Sequence, residues 1–453
     1  MSSSSDPHNG TALRTRREFL GSTLLGVGTV STIPGFVAST IASLQHHAAA
    51  QSAPVTANDG RILVILQLAG GNDGLNTVVP FADDAYHRAR GSIGLPVASL
   101  LKLDDTTALA PTLSGLRSIY DEGRLAIVQG VGYPNPNRSH FRSTEIWQCA
   151  TDADKVSRTG WLGRYFDNAC TGAPNPTIGV SLSDQAPQSF RAARHPGIAL
   201  SSPELYRWVH GQDAALDEAF AALNAPDDPE GRSMDGSSIE MLAGGKSGDA
   251  MAASESPLTF LERTALNAQV SSEKVRAVAT KAGNSEGAYP AAGRLSQSLR
   301  LVAQMIAGGL PARVYYVSHG GFDTHNNQGG ERGTHQNLLR QLDQAVTAFV
   351  KDLQTKELYD QVTLMTFSEF GRRVRENGSG GTDHGTAAPL FVLGGAVKGG
   401  LLGHAPSLTD LDRGDLKHTV DFRSVYGSIL HQCLGTDPVD VLGRAFPSLP
   451  LIG

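Results

Sequence analysis

Short apolar runs recur along this chain, and each is cut off by glycine or by polar residues. Arg61 to Ala69 (RILVILQLA) is apolar at consecutive positions, rich in branched side chains and bounded by a glycine pair. Too short for an independent helix, it predicts a strand buried on both faces, as strands of parallel sheets are. Leu125 to Gln129, Arg313 to Ser318, Val362 to Phe367 and Leu390 to Leu393 repeat the pattern. Helical periodicity separates them: Thr112 to Glu122, Pro290 to Ala307, and Thr334 to Leu353, where Leu338, Leu339, Leu342, Val346, Phe349 and Val350 share one stripe. A further helix is expected after the second strand, with Asn135 as its cap and Pro136 at its first position. Strands alternating with helices predict an α/β fold, a sheet covered on both faces with ligands beyond the carboxyl ends of its strands. Pro226 to Pro257 has no apolar period and is expected to be a flexible insertion rather than a lid.

The N-terminus carries a different signal. After a polar start, Arg14-Thr15-Arg16-Arg17-Glu18-Phe19-Leu20 sets an adjacent arginine pair before two apolar residues, the pattern of twin-arginine export. Gly21 to Ala42 is only moderately apolar and is interrupted by Pro34, and Ala48-Ala49-Ala50 offers a cleavage point before Gln51. A membrane anchor needs roughly 20 consecutive strongly apolar residues. The stretch is therefore expected to be a removable signal peptide (1–50), followed by a linker (51–60) and a single domain (61–453). That places the domain in the periplasm or outside the cell, with the twin-arginine translocase as its partner during export and no stable membrane span.

Composition narrows the partners. The formal charge is −6, from 38 basic and 44 acidic residues with no basic block, so neither a nucleic-acid surface nor a polybasic membrane contact is expected. A small molecule is the expected ligand. Cys149, Cys170 and Cys433 are too few for a disulfide framework and too far apart for a CxxC metal knuckle; a Cys149–Cys170 bridge and buried free thiols both remain open.

The strand ends carry the candidate chemistry. Gly70-Gly71-Asn72-Asp73-Gly74 follows the first strand, and Ser318-His319-Gly320-Gly321-Phe322-Asp323-Thr324-His325 the third. Ser368-Glu369-Phe370-Gly371-Arg372-Arg373 follows the fourth, before a glycine-rich stretch containing Thr382-Asp383-His384-Gly385. Carboxylates and imidazoles gathered at one sheet edge suit Zn, Mn, Mg or Ca better than copper or an iron–sulfur cluster. Taken singly, each motif has a plain structural reading: Asp73 as a turn residue, Asp323 and His325 as a capped loop, Glu369 as an ion-pair partner of Arg372 or Arg373. The argument rests on their joint placement. Past the second strand, Arg138, Ser139, His140 and Arg142 lie around the predicted helix start, where free amides and arginines attract an anion; local ion pairs of the two arginines are the plain alternative.

GGNDGLNTVVP, YPNPNRSHFRSTEIWQ, GGFDTHNNQ, TFSEFGRR and GTDHG, in this order behind a twin-arginine leader, resemble the bacterial domain-of-unknown-function 1501 family across residues 60–445. That family is similar in turn to the alkaline phosphatase and sulfatase superfamily. The resemblance implies a three-layer, mainly parallel sheet with helices on both faces and a divalent metal site of one or two ions. It assigns Asp73, Asp323, His325, Glu369 and His384 to the metal and Ser139 to the nucleophile. Phe370 stands where the superfamily has a histidine, which weakens a second metal position. The function implied is hydrolysis of an anionic phosphate or sulfate ester, with Arg138, Arg142 and helix amides stabilising charge and His140 or His319 moving a proton. A non-catalytic secreted binding or assembly protein with a degenerate metal site is the rival. No Gly-x-Ser-x-Gly elbow supports a plain serine hydrolase.

Overall fold

The computed structural model describes residues 60–170, 175, 177–201, 275, 277–278, 289–291 and 293–453. The leader, the linker apart from Gly60, and the 226–257 insertion lie outside them. Among the described residues, the central sheet has nine strands. In chain order these are β1 (Ile62–Leu68), β2 (Leu125–Gly132), β3 (Gly179–Ser181), β4 (Ile198–Ala199), β5 (Val314–His319), β6 (Val362–Phe367), β7 (Ala388–Gly394), β8 (Gly400–Leu402) and β9 (Val420–Asp421). Their order across the sheet is β8-β2-β7-β6-β1-β5-β3-β4, with β9 also paired to β2. Only β7 is antiparallel to its neighbours, β2 and β6. A parallel return needs a crossover of a dozen or more residues, usually a helix. Residues 368–387 contain none, so the chain turns at the sheet edge and runs back.

The buried runs sort by parity, because successive side chains of a strand point to opposite faces. Ile62, Val64, Leu66 and Leu68 enter one core cluster, while Leu63 and Ile65 enter another. The first cluster is covered by α2 (Ser114–Asp121), α5 (Arg294–Ala307) and α6 (Thr334–Thr355), with the short α1 (Asp84–Ala89) at its margin. The second is covered by α3 (His140–Cys149), α4 (Trp161–Ala169), α7 (Phe422–Gln432) and α8 (Pro438–Leu442). Three layers result, the α/β architecture expected. Along α6, Leu339, Leu342, Val346, Phe349 and Leu353 are buried at helical spacing. Truncating Leu342, fully buried, to alanine would cost about 2–5 kcal/mol.

One local expectation is overturned. Asn135 does not cap α3: it sits in the left-handed region at φ 54°, where asparagine is tolerated, and the Asn137 amide donates to the Tyr133 hydroxyl at 3.1 Å. That turn delays the helix, so its cap is Ser139 and its first residue His140. Cys149 and Cys170 are separate thiols. Among the described residues, no helix is long and apolar enough to cross a membrane.

Candidate functional site

Because β1, β5 and β6 are parallel, their carboxyl ends share one edge. β7 runs against β6 and β2 against β7, so β2 also ends there and β7 begins there. The loops after β1, β2, β5 and β6 therefore meet. Glycines allow the approach: a Cβ on Gly70, at φ +119°, would lie 2.4 Å from the Asp323 amide nitrogen, and one on Gly381 would lie 2.4 Å from the His325 carbonyl oxygen.

Asp323 is the centre of the resulting cluster. Its Oδ1 accepts from the buried Arg372 guanidinium at 2.7 Å and has His384 Nε2 at 3.1 Å and His325 Nε2 at 3.2 Å. Its Oδ2 lies 3.4 Å from His140 Nε2. His325 Nε2 and His384 Nε2 are 2.8 Å apart. His140, Asp323 and His384 each offer a ligand atom within 4.8 Å of the other two. Burial raises the Asp323 carboxyl, but the hydrogen bond and charge of Arg372 lead the groups that outweigh it and hold it below its ordinary value. Burial lowers His384, against the pull of Asp323 and the Arg138 carbonyl, and favours its neutral ring.

The outer nitrogens of the three imidazoles follow one rule. His140 Nδ1 faces Glu369 Oε1 at 2.8 Å, His384 Nδ1 faces the Arg138 carbonyl oxygen at 2.8 Å, and His325 Nδ1 faces Asp383 Oδ1 at 3.3 Å. Carbonyl and carboxylate oxygens only accept, so each Nδ1 carries the hydrogen in a neutral ring, by inference from these partners. Each Nε2 then presents a lone pair, and all three lone pairs face the Asp323 carboxylate. Such a set repels itself unless a cation or a shared proton lies among it. Two further atoms are unspent: His140 Nε2 and Glu369 Oε2 are buried and make no hydrogen bond to the described residues. Imidazole donors backed by carboxylate or carbonyl oxygens are the usual surroundings of a bound Zn or Mn, so the residues present fit a divalent metal.

The expected site residues divide. Asp323, His325 and His384 lie together. Glu369 stands behind His140, its Oε1 also taking the Gly70 amide at 2.8 Å, and it pairs with neither Arg372 nor Arg373. Asp73 does not join them. Its fully buried carboxylate is gripped by both Arg90 terminal nitrogens and by Gln328 Nε2 at 2.5 Å. Burial opposes ionisation there, but the Arg90 charge leads the groups that hold the carboxyl below its ordinary value. Phe370, 2% exposed, lays its ring against His140 and His384 at 4.9 and 4.5 Å between centroids.

Ser139 is exposed, and its hydroxyl makes no capping bond. Its neighbours on both sides touch the cluster, Arg138 through its carbonyl and His140 through its ring. The Arg138 guanidinium lies 3.2 Å from Asp415. Arg142 is turned away, bonded to Glu145 and to the carbonyls of Ala153 and Lys155. His319 is also elsewhere, its Nε2 on the Leu338 carbonyl and its ring against Phe322. A cavity of about 330 Å³ lined by Tyr133, Asn137, Phe370, Leu416 and His418 adjoins the cluster across Phe370. Arg90 and Arg372 were not anticipated as organisers of the loops, because a buried arginine has no local sequence mark.

A family model described as a protein of unknown function, DUF1501, matches residues 61–445. No curated protein matches the chain. Similar solved structures include a protein in the alkaline phosphatase superfamily from Vibrio parahaemolyticus, 9% identical, covering 86% of this chain and 72% of that one, with a TM-score of 0.35. A sulfatase from Pseudoalteromonas sp. is 12% identical, with 92% and 73% covered and a TM-score of 0.35. Alkaline phosphatase from the Antarctic bacterium TAB5 is 13% identical, with 74% and 92% covered and a TM-score of 0.29. Likenesses at this level say nothing about the chemistry of this chain.

Proposed function

Starting from the chain's membership of the domain-of-unknown-function 1501 family, we propose that it is an exported, metal-dependent hydrolase of phosphate or sulfate esters. The observation that carries this reading is the inward turn of three imidazole Nε2 atoms onto one ionised carboxylate at a strand-end edge. His140, His325, His384 and Asp323 would hold the metal, which when bound supplies positive charge and lowers the pKa of an oxygen nucleophile. Ser139 is the nucleophile favoured by its place: exposed, hydroxyl unspent, and between two residues of the cluster. Arg138 and the first amides of α3 would stabilise the anionic group. Arg142, bonded away from the cluster, is left out of that role. Arg372 holds Asp323 in place from beneath.

Metal analysis of the purified protein, together with chromogenic phosphate and sulfate esters, tests the reading. Ser139→Ala should abolish turnover, by at least about 100-fold, with the metal retained. Metal binding without turnover on any ester would instead support a non-catalytic binding or assembly protein, a reading that the Phe370 ring favours. Export rests on the leader, and replacing Arg16 and Arg17 by lysine should leave the protein in the cytoplasm.

A further inference from the structure

We propose that this site holds a single borderline cation of the Zn class, bound by three imidazoles and one carboxylate, and that Glu369 is a positioning residue rather than a ligand. The inference rests on the metal-site part of the reading above and goes beyond it in ion number, ion class and the role of Glu369. A second ion needs its own set of donors, and beyond the single unspent oxygen Glu369 Oε2 the expected ones are engaged elsewhere or missing. Asp73 is enclosed by Arg90 and Gln328, with no exposure. Where an imidazole would extend a second site stands the Phe370 ring, which packs on two of the imidazoles and offers no lone pair.

What remains is the group of His140, Asp323 and His384, whose ligand atoms lie within 4.8 Å of one another, joined by His325, whose Nε2 is 2.8 Å from His384 Nε2 and 3.2 Å from Asp323 Oδ1; Asp323 Oδ1 is fixed by Arg372 and Oδ2 lies beside His140. Three nitrogens against one carboxylate are too rich in imidazole for Ca or Mg, which take oxygen donors. Each imidazole has its own acceptor behind it, namely Glu369, Asp383 and the Arg138 carbonyl. Glu369 is the most constrained of these. It is buried, its Oε1 is shared between His140 Nδ1 and the Gly70 amide, and its backbone carbonyl accepts from the Ser143 hydroxyl. That arrangement fixes the ring and the tautomer of His140.

The test is titration of metal-free protein with Zn by calorimetry, with ions per chain counted by native mass spectrometry and Co substituted for its visible spectrum. One ion per chain is expected, with a Co spectrum of a low-coordinate, nitrogen-rich site. His140→Ala should weaken Zn binding at least about 100-fold, and Glu369→Gln about 10–100-fold. Because Glu369→Gln is nearly isosteric, it keeps the test open if His140→Ala fails to fold. Two ions per chain, or wild-type affinity in folded His140→Ala and Glu369→Gln, would overturn the inference and leave the hydrolase reading standing. No Zn or Co binding at all would overturn both.

Discussion

Two groups of polar residues lie one behind the other at the same sheet edge, with similar residue types and opposite fates. In the buried group, Asp73 is matched by Arg90 and Gln328, and His335 Nε2 donates to Asn72 Oδ1 at 2.9 Å, all in residues no more than 2% exposed. In the outer group, Asp323 and His325 are nearly half exposed, and three imidazole Nε2 atoms converge on one carboxylate. The inner group completes its own charge balance, so it is equipped to hold loops together. The outer group does not, and that deficit is what supports the proposal that it binds a metal. Whether a carboxylate acts in structure or in chemistry here depends on whether an arginine reaches both of its oxygens.

The sharpest way to break the contrast is to remove Arg90. Arg90→Ala strands the Asp73 charge in the interior and should cost about 3–5 kcal/mol, read by urea denaturation; a loss under about 1 kcal/mol would show that the inner pair is not structural. Acid should act on the same group, since burial lowers His335 to about 4. Its folded value lies below the unfolded value of about 6.5, so the unfolded chain binds the proton first. Stability should therefore fall from about pH 6.5 towards pH 4, with a slope approaching 1.4 kcal/mol per pH unit. Asp73, lowered in the folded chain, contributes above about pH 4, and its share is lost as the pH drops through the folded value. His335→Gln should flatten the upper part of this profile, and an unchanged difference between pH 7 and pH 5 would discard the assignment.

The same contrast sets what could be read from the sequence. The central strands were legible because both of their faces are buried, which leaves unbroken apolar runs in β1 and β6. β3, β4, β8 and β9, two or three residues each, carry too little pattern. α7 is buried at every position from Phe422 to Leu430, so no polar stripe marks it as a helix. In the site, Asp323, His325 and His384 stand out by their glycine-rich context. Asp73 has the same context, and what separates it from Asp323 is Arg90, which closes the following helix and reaches back over the fold. The place of His140 among the imidazoles was hidden by the delayed start of α3.

In the outer group the effects should be on affinity rather than stability. His325→Ala removes one of three nitrogens and should weaken Zn binding about 10–100-fold while leaving the urea midpoint nearly unchanged, since the ring is 41% exposed. A parallel loss of several kcal/mol of stability would place this histidine with the inner group instead.

The smallest effect belongs to Asp383, and it separates the two groups most finely. Its Oδ1 backs His325 Nδ1 at 3.3 Å and accepts from Asn377 at 3.0 Å, with the side chain about half exposed. Asp383→Asn keeps an oxygen acceptor and removes only a charge that solvent already screens. Folding stability should therefore stay within about 0.5 kcal/mol of wild type. Zn affinity should drop by no more than about 10-fold, because the His325 ring keeps its place with a weaker acceptor behind it. The same loss of a carboxylate charge at Asp73 would leave Arg90 buried and unmatched. If Asp383→Asn destabilised the fold as much as Arg90→Ala does, the outer residues would be one more structural network, and the division on which the proposed metal site rests would be gone.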